Sequence, residues 1–267
     1  MREPSAPPMP LNEGRALITG AGAGIGREIA RAFARHGAEI IAVDWNPDAN
    51  RETARLIHAE GGRCRAVEAD VSSSGDIARA FAEAGPVDVL VNNAAYSQGD
   101  GLLHELSEET WESVLAICLK SVFLCTREAL KSMVPRRRGA IVNISSVNAL
   151  LGIHLAAYTA AKGGIISLTR VTAVQYARFG IRANAICPGT ILSESSEKYY
   201  REHPEISAEL QDLYPGGKFG TVGDVAACAL FLASEEANFI NGATIPVDGA
   251  LTAVHRIPSI VPLKKEQ

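Results

Sequence analysis

A tyrosine and a lysine four positions apart, Tyr158 and Lys162, are the pair in this 267-residue sequence best suited to proton chemistry. On a helix that spacing puts both on one face, roughly 6 Å apart along the axis. A phenol has a reference pKa of about 10 and is a poor base at neutral pH. A nearby ammonium stabilises the phenolate, which can then accept the proton of an alcohol or return it in the reverse direction. A second cluster, Thr19-Gly20-Ala21-Gly22-Ala23-Gly24-Ile25-Gly26, stands between a short apolar run and a helical stretch. Glycines there permit a tight turn and close backbone approach to a pyrophosphate, and the helix N-terminus adds free N–H groups and a favourable dipole. Asp44 ends the next apolar run, where a carboxylate can accept hydrogen bonds from both adenosine ribose hydroxyls and repel a 2′-phosphate. Neither Ala23 nor Trp45-Asn46 supplies a cation to neutralise such a phosphate, so NAD is expected rather than NADP. A capping or turn role for Asp44 would coexist with that one.

These residues need a scaffold, and the apolar pattern supplies one. Strand-like runs at 16–19, 40–43, 65–69, 87–91, 140–144, 182–186 and 244–247 alternate with helix-like stretches at 26–36, 50–60, 75–84, 108–134, 157–179 and 222–233. Strands this apolar, separated by helices, imply a parallel sheet covered on both faces. The expected fold is therefore α/β, a doubly wound Rossmann fold in a single domain. Residues 1–13 are Pro-rich and read as a loose arm. Residues 14–267 read as the domain, with a polar and aromatic insertion at about 191–219 that would cover the substrate.

Bulk properties narrow the partners. Hydrophobic residues make up 47% and charged residues 21%, with a net charge of −4, so a nucleic acid or an anionic membrane is a poor match. The one basic run, Arg136-Arg137-Arg138, precedes a strand and reads as a solvated turn. No apolar run reaches the roughly 18 residues of a membrane helix. The five cysteines are scattered, without metal-site spacing, which points to no metal and to reduced thiols in the cytoplasm.

With those motifs in place, the chain resembles the short-chain dehydrogenase/reductase family from Gly14 to about Thr252. The glycine spacing of Gly20, Gly24 and Gly26, with Ile25 between the last two, is that family's. The resemblance implies that Asp70 and Val71 contact adenine, that Asn93 of Asn92-Asn93-Ala94-Ala95 contacts the cofactor, and that Asn92 steadies a strand end. It implies that Pro188-Gly189-Thr190-Ile191-Leu192-Ser193 holds the nicotinamide, with Ile191 and Ser193 near its carboxamide. Tyr158 and Lys162 are then the catalytic pair, and Lys162 also holds the nicotinamide ribose. A serine hydroxyl should orient the substrate oxygen. The commonest family spacing, 13 positions before the tyrosine, selects Ser145; the strand-end pattern selects Ser146, and we favour Ser146 because strand-end geometry fixes a side chain better than loop length.

Three departures stand out. Cys118 occupies a position where the family usually has Asn, whose main chain helps hold a water linked to the lysine. Ala95 and Ala250 replace glycines. The expected activity is hydride transfer between NAD and a secondary alcohol or ketone, with Tyr96, Ser97, Gln98, Asn148 and His154 suggesting a small hydroxylated substrate such as a polyol, sugar or cyclic alcohol. A biosynthetic ketone reductase and an NAD-binding regulatory protein with impaired catalysis are the alternatives. Two long apolar helices, through the family resemblance, imply a homodimer or homotetramer.

Overall fold

A computed structural model describes residues 14–254; the expected arm at 1–13 lies outside them. The chain alternates strand and helix: β1 (Arg15–Thr19), α1 (Gly24–Arg35), β2 (Glu39–Asp44), α2 (Pro47–Ala59), β3 (Arg63–Glu68), α3 (Ser74–Ala84) and β4 (Val89–Asn92). It continues through α4 (Glu108–Leu115), α5 (Ser121–Arg136), β5 (Gly139–Ile144), α6 (Ala156–Tyr176) and β6 (Ile181–Pro188). The last part holds β7 (Ile191–Leu192), α7 (Glu194–Glu202), α8 (Pro204–Gln211), β8 (Gly220–Thr221), α9 (Val222–Ala233) and β9 (Thr244–Val247). Seven strands form one parallel sheet in the order β3-β2-β1-β4-β5-β6-β9. The order reverses between β1 and β4, and a crevice at such a switch point is where doubly wound sheets bind ligands.

Period-two alternation divides the strand side chains between two cores. Ala16, Ile18, Ile40, Ala42, Val89 and Val91 pack on one face with Ile29 and Phe33 of α1 and Val225 and Leu232 of α9. Leu17, Ile41, Val43, Leu90 and Ile141 pack on the other face with Ile77 of α3, Leu124 and Met133 of α5 and Ala173 of α6. Both faces being covered explains why the strands read as nearly continuous apolar runs. Polar residues at the strand ends are paired: Asn92 donates to Asn143 Oδ1 at 2.8 Å, and Asn143 donates to Thr169 Oγ1 at 2.8 Å. Asn92 thus steadies β4 against β5 and α6.

Several boundaries differ from expectation for local reasons. Helix α2 starts at Pro47 rather than Asn50, because Asn46 caps the amides of Asp48 and Ala49 and proline suits the first helical position. Strand β3 spans Arg63–Glu68, set by its register with β2, in which Glu39 faces Arg63. The expected helix over 108–134 is broken by a π-turn at Ala116–Lys120 and runs on to Arg136. The expected helix over 157–179 is α6, followed by a 3-10 turn at Ala177–Phe179. The Arg136–Arg138 run is more than a solvated turn: Arg136 Nη1 donates to Asp88 Oδ1 at 2.7 Å, and Arg137 Nη2 donates to Arg178 O at 2.7 Å.

Ala250 lies in the left-handed region at φ +68°, just after Gly249 at φ +57°. A Cβ there is strained, which makes this the costlier of the two alanine-for-glycine departures. Ala250→Gly should therefore raise stability by about 1 kcal/mol. Urea unfolding would show it as a higher midpoint at unchanged slope, and an unchanged or lower midpoint would refute the assignment.

Candidate active site

The site is assembled at the carboxyl edge of the sheet, where β1, β2, β4, β5 and β6 deliver their last residues. The glycine loop leaves β1 and enters α1. The N-cap of α1, Ala23, makes no side-chain hydrogen bond and the first turn holds no acid. By contrast Asn46, Ser73, Ser107, Ser193 and Thr221 each cap their helices. The first-turn amides of α1 are thus without a side-chain partner at their own cap, and Gly24, at φ +54°, would place a Cβ with only Ser193 Cβ within reach, 3.6 Å away. An anionic phosphate group fits such a cradle by both space and charge.

The rest of the loop is closely packed. A Cβ on Gly20 would come within 2.9 Å of Ala94 Cα, and one on Gly22 within 2.8 Å of Asp44 Oδ2. Asn93 is the brace: its Nδ2 donates to Thr19 O at 3.0 Å and to Gly20 O at 3.1 Å, while Thr19 Oγ1 accepts the amides of Asn93 and Ala94. Asp44, at the end of β2, is 9% exposed and accepts Gly22 N–H at 2.8 Å and Asn46 N–H at 2.9 Å. Its turn-holding role is therefore real, and it stands at the edge of the glycine loop with Trp45 exposed beside it. Asp70 ends the run after β3, accepts both the amide and the hydroxyl of Ser72, and is followed by buried Val71.

The β6 end forms the opposite wall. Gly189, after Pro188, donates its N–H to Val247 O at 3.0 Å, and a side chain there would meet the Tyr214 hydroxyl at 3.0 Å. Tyr214 also accepts the Thr190 amide at 2.6 Å. Ile191 pairs with Gly220 in a two-stranded ribbon, and Ser193 caps α7 through a capping box. The insertion is thus β7, α7, α8 and β8. It is tied to the glycine loop by Arg27, whose Nη1 meets Glu194 Oε1 at 3.2 Å and whose Nη2 donates to Gly22 O.

Tyr158 and Lys162 lie on one face of α6, with the Lys162 ammonium 5.2 Å from the centroid of the Tyr158 ring. Lys162 is 1% exposed and donates to Ile144 O, at the end of β5, at 2.8 Å. The two serines that follow β5 part company. Ser145 points inward and donates to Lys162 O at 2.8 Å. Ser146 caps the 3-10 turn Val147–Ala149 and donates to Asn148 Oδ1 at 3.1 Å. Asn148 reaches on to His154 O at 3.1 Å and Thr159 Oγ1 at 3.4 Å, so the Ser146 loop is tied to the first turns of α6.

Cys118 lies buried within the π-turn. Cys118 Sγ accepts the Tyr96 amide at 3.3 Å and donates to the Tyr96 carbonyl at 3.2 Å. A thiol here performs both halves of a paired backbone contact, and the helix distortion is present with cysteine in place. Cys118, Ala157 and Ala161 form one buried cluster, with Tyr96 and Tyr158 packed against it. Burial pushes the Cys118 thiol up, with Lys162 pulling weakly in the opposite direction, so this sulfur is a packing and hydrogen-bonding group rather than a thiolate.

Two residues were not foreseen. Tyr214 holds the Pro188–Thr190 bend from the insertion, and Asp100 accepts the amides of Ala157 and Tyr158 at 3.2 and 2.7 Å. Neither carried a sequence signal, since each acts on backbone far away in the chain. From the Cys118 geometry, Cys118→Ala should cost about 2 kcal/mol by leaving the Tyr96 amide and carbonyl without this partner. Cys118→Ser should recover most of that loss in chemical denaturation; equal losses for both would contradict the two-way bond.

Comparison with known proteins agrees with this fold. Residues 20–252 match the family profile described as Enoyl-(Acyl carrier protein) reductase. The chain is 39% identical over 245 residues to 2-(S)-hydroxypropyl-CoM dehydrogenase 3 of Xanthobacter autotrophicus, covering 89% of this chain and 96% of that one. It is 39% identical over 244 residues to galactitol 2-dehydrogenase (L-tagatose-forming) of Cereibacter sphaeroides, covering 89% and 94%. A crystal structure of a candidate 2-deoxy-D-gluconate 3-dehydrogenase from Agrobacterium tumefaciens, with bound NADP, superposes with a TM-score of 0.85 at 34% identity, covering 92% of this chain and 98% of that one. Fold, motifs and relatives converge: this chain belongs to the short-chain dehydrogenase/reductase family, and is an oxidoreductase acting on alcohols with a nicotinamide cofactor.

Proposed function

We propose that this chain is an NAD-dependent dehydrogenase acting on a small hydroxylated secondary alcohol, or on the corresponding ketone in reverse. The observation that carries the reading is the pairing of Tyr158 and Lys162 on one face of α6, at the sheet edge that also holds the uncapped start of α1. The nicotinamide, when bound, supplies the hydride acceptor or donor. Ser146 orients the substrate oxygen; Ser145 is committed to the Lys162 carbonyl, which supports this choice. Tyr158 takes the alcohol proton on its phenolic oxygen as the carbinol carbon is oxidised, and returns it in reduction. The buried positive charge of Lys162 complements the negative charge left on that oxygen, and its remaining N–H groups hold the nicotinamide ribose.

The dinucleotide is read from end to end by this chain's residues. Gly20, Gly24, Ile25 and Gly26 would cradle the pyrophosphate, and Asp44 would accept from the adenosine ribose. Asp70 and Val71 would take the adenine, Asn93 braces the glycine loop, and Pro188, Gly189, Ile191 and Ser193 would hold the carboxamide end. NAD over NADP rests on Asp44, whose carboxylate opposes a 2′-phosphate. The relative solved with NADP makes this a choice to be measured. Galactitol and hydroxypropyl relatives support a small hydroxylated substrate. Exposed Phe123 on α5 and Val171 and Val174 on α6 support a dimer or tetramer, and five unpaired thiols accord with the cytoplasm. The two-way bond of Cys118 favours an intact catalyst over a silent cofactor-binding protein.

NADH formation from a panel of polyols, sugars and cyclic alcohols tests the reading. At least one should be oxidised, with Tyr158→Phe slower by a factor of about 1,000 and Ser146→Ala by about 100. Turnover surviving in Tyr158→Phe would overturn the mechanism. With the same substrate, NAD should be used at least about tenfold better than NADP, a difference of about 1.4 kcal/mol in the repulsion between Asp44 and a 2′-phosphate, and Asp44→Ala should narrow the gap. Equal use of the two by the parent would refute the role of Asp44.

A further inference from the structure

Helix α6 carries Tyr158 in its first turn, yet it starts without a cap of its own. Leu155, at its N-cap position, lies in the left-handed region at φ +89°, makes no side-chain cap bond, and the first turn holds no acidic residue. First-turn amides left unpaired, and a non-glycine residue in that region, both favour fraying or a shifted start. The partner comes from the loop between β4 and α4. Asp100 Oδ2 accepts Tyr158 N–H at 2.7 Å, and Oδ1 accepts Ala157 N–H at 3.2 Å and Gly101 N–H at 2.8 Å. A carboxylate at a helix N-terminus gains both charge-assisted hydrogen bonds and the dipole interaction. The same loop is held at its other end by the Cys118–Tyr96 pair on the π-turn.

We propose that Asp100 is a positioning residue for Tyr158: it replaces the missing cap of α6 and ties the placement of the phenol to the loop of Tyr96, Ser97 and Gln98. The inference rests on the reading of Tyr158 as the proton-transfer residue. Because the bond is to Tyr158's own amide, it sets the backbone from which that side chain projects. Lys162, one turn further on, is held separately by Ile144 O, so losing Asp100 should displace the phenol relative to the ammonium rather than move both. A misplacement of about 1 Å is enough to cost up to 100-fold in rate. NAD binding, which draws mainly on the glycine loop, Asp44 and the β6 end, and on a Lys162 that Ile144 O holds separately, should be spared.

The test compares Asp100→Ala and Asp100→Asn in the full-length protein, with NAD bound. Three readouts are taken: kcat and KM on the best alcohol of the panel, NAD affinity by titration, and amide hydrogen exchange by mass spectrometry. Asp100→Ala should lower kcat by about 30-fold with NAD affinity within about twofold of the parent, and speed exchange in the 155–164 peptides while 24–35 is unchanged. Asp100→Asn keeps one acceptor and should lose only about fivefold; it decides the matter if Asp100→Ala does not fold, since a parent-like rate in it would then overturn the proposal. In a folded Asp100→Ala, a parent-like kcat overturns it, as does a loss of rate accompanied by weakened NAD binding and faster exchange throughout the domain. Tyr158→Phe assayed alongside separates the two inferences: turnover there removes the reading of Tyr158, whereas silence there with a parent-like Asp100→Ala removes only the tether's role.

Discussion

A lysine ammonium buried inside a sheet-and-helix joint is the constraint around which this protein is built. Taking a charge out of water costs several kcal/mol unless the surroundings repay it with hydrogen bonds. Here Ile144 O accepts from Lys162 Nζ, Ser145 Oγ binds the carbonyl of the same lysine, and the Tyr158 ring lies beside the charge. Those contacts require β5 to end where it does, α6 to begin where it does, and the two to cross at one distance. Asn143 and Thr169 lock that crossing deeper in the sheet. The reactive edge is thus fixed by polar contacts between β5 and α6, whereas the apolar cores set the layers.

The other half of the cleft is governed by backbone rather than side-chain chemistry. The glycine loop is pressed between Asn93, Ala94 and Asp44, so its course is determined on three sides while the start of α1 remains open to a phosphate. Asp44 serves two ends at once: one oxygen holds Gly22 and the other holds Asn46. The insertion with α7 and α8 closes on this half through Arg27 and Glu194, linking the segment expected to cover substrate to the phosphate cradle.

The layered fold was legible because two-sided burial writes itself into the strands as apolar runs, and glycines at a strand–helix junction have few other uses. Tyr158, Lys162 and the glycines were legible because each set is a local pattern, four positions apart on one helix or clustered between one strand and the next helix. The partners of Ser145 and Ser146 were not, since two adjacent serines after a strand look alike in sequence, and only the fold pairs Ser145 with the Lys162 carbonyl and Ser146 with Asn148. The π-turn at Ala116–Lys120 kept the apolar period of a helix and so read as an unbroken one. Asp100 and Tyr214 escaped notice because they bind backbone amides 58 and 24 residues away, and a hydrogen bond to an amide leaves no mark on the residue that donates it.

The central claim is a hydride passed from a carbinol carbon to NAD in the cleft held by Lys162. The most direct measurement supplies secondary alcohols of the panel carrying deuterium on the carbinol carbon, and reads the mass of the NADH formed. One deuterium per NADH, formed by the parent and abolished in Lys162→Ala, is the expected result. NADH without deuterium, or labelling undiminished in Lys162→Ala, would contradict the account.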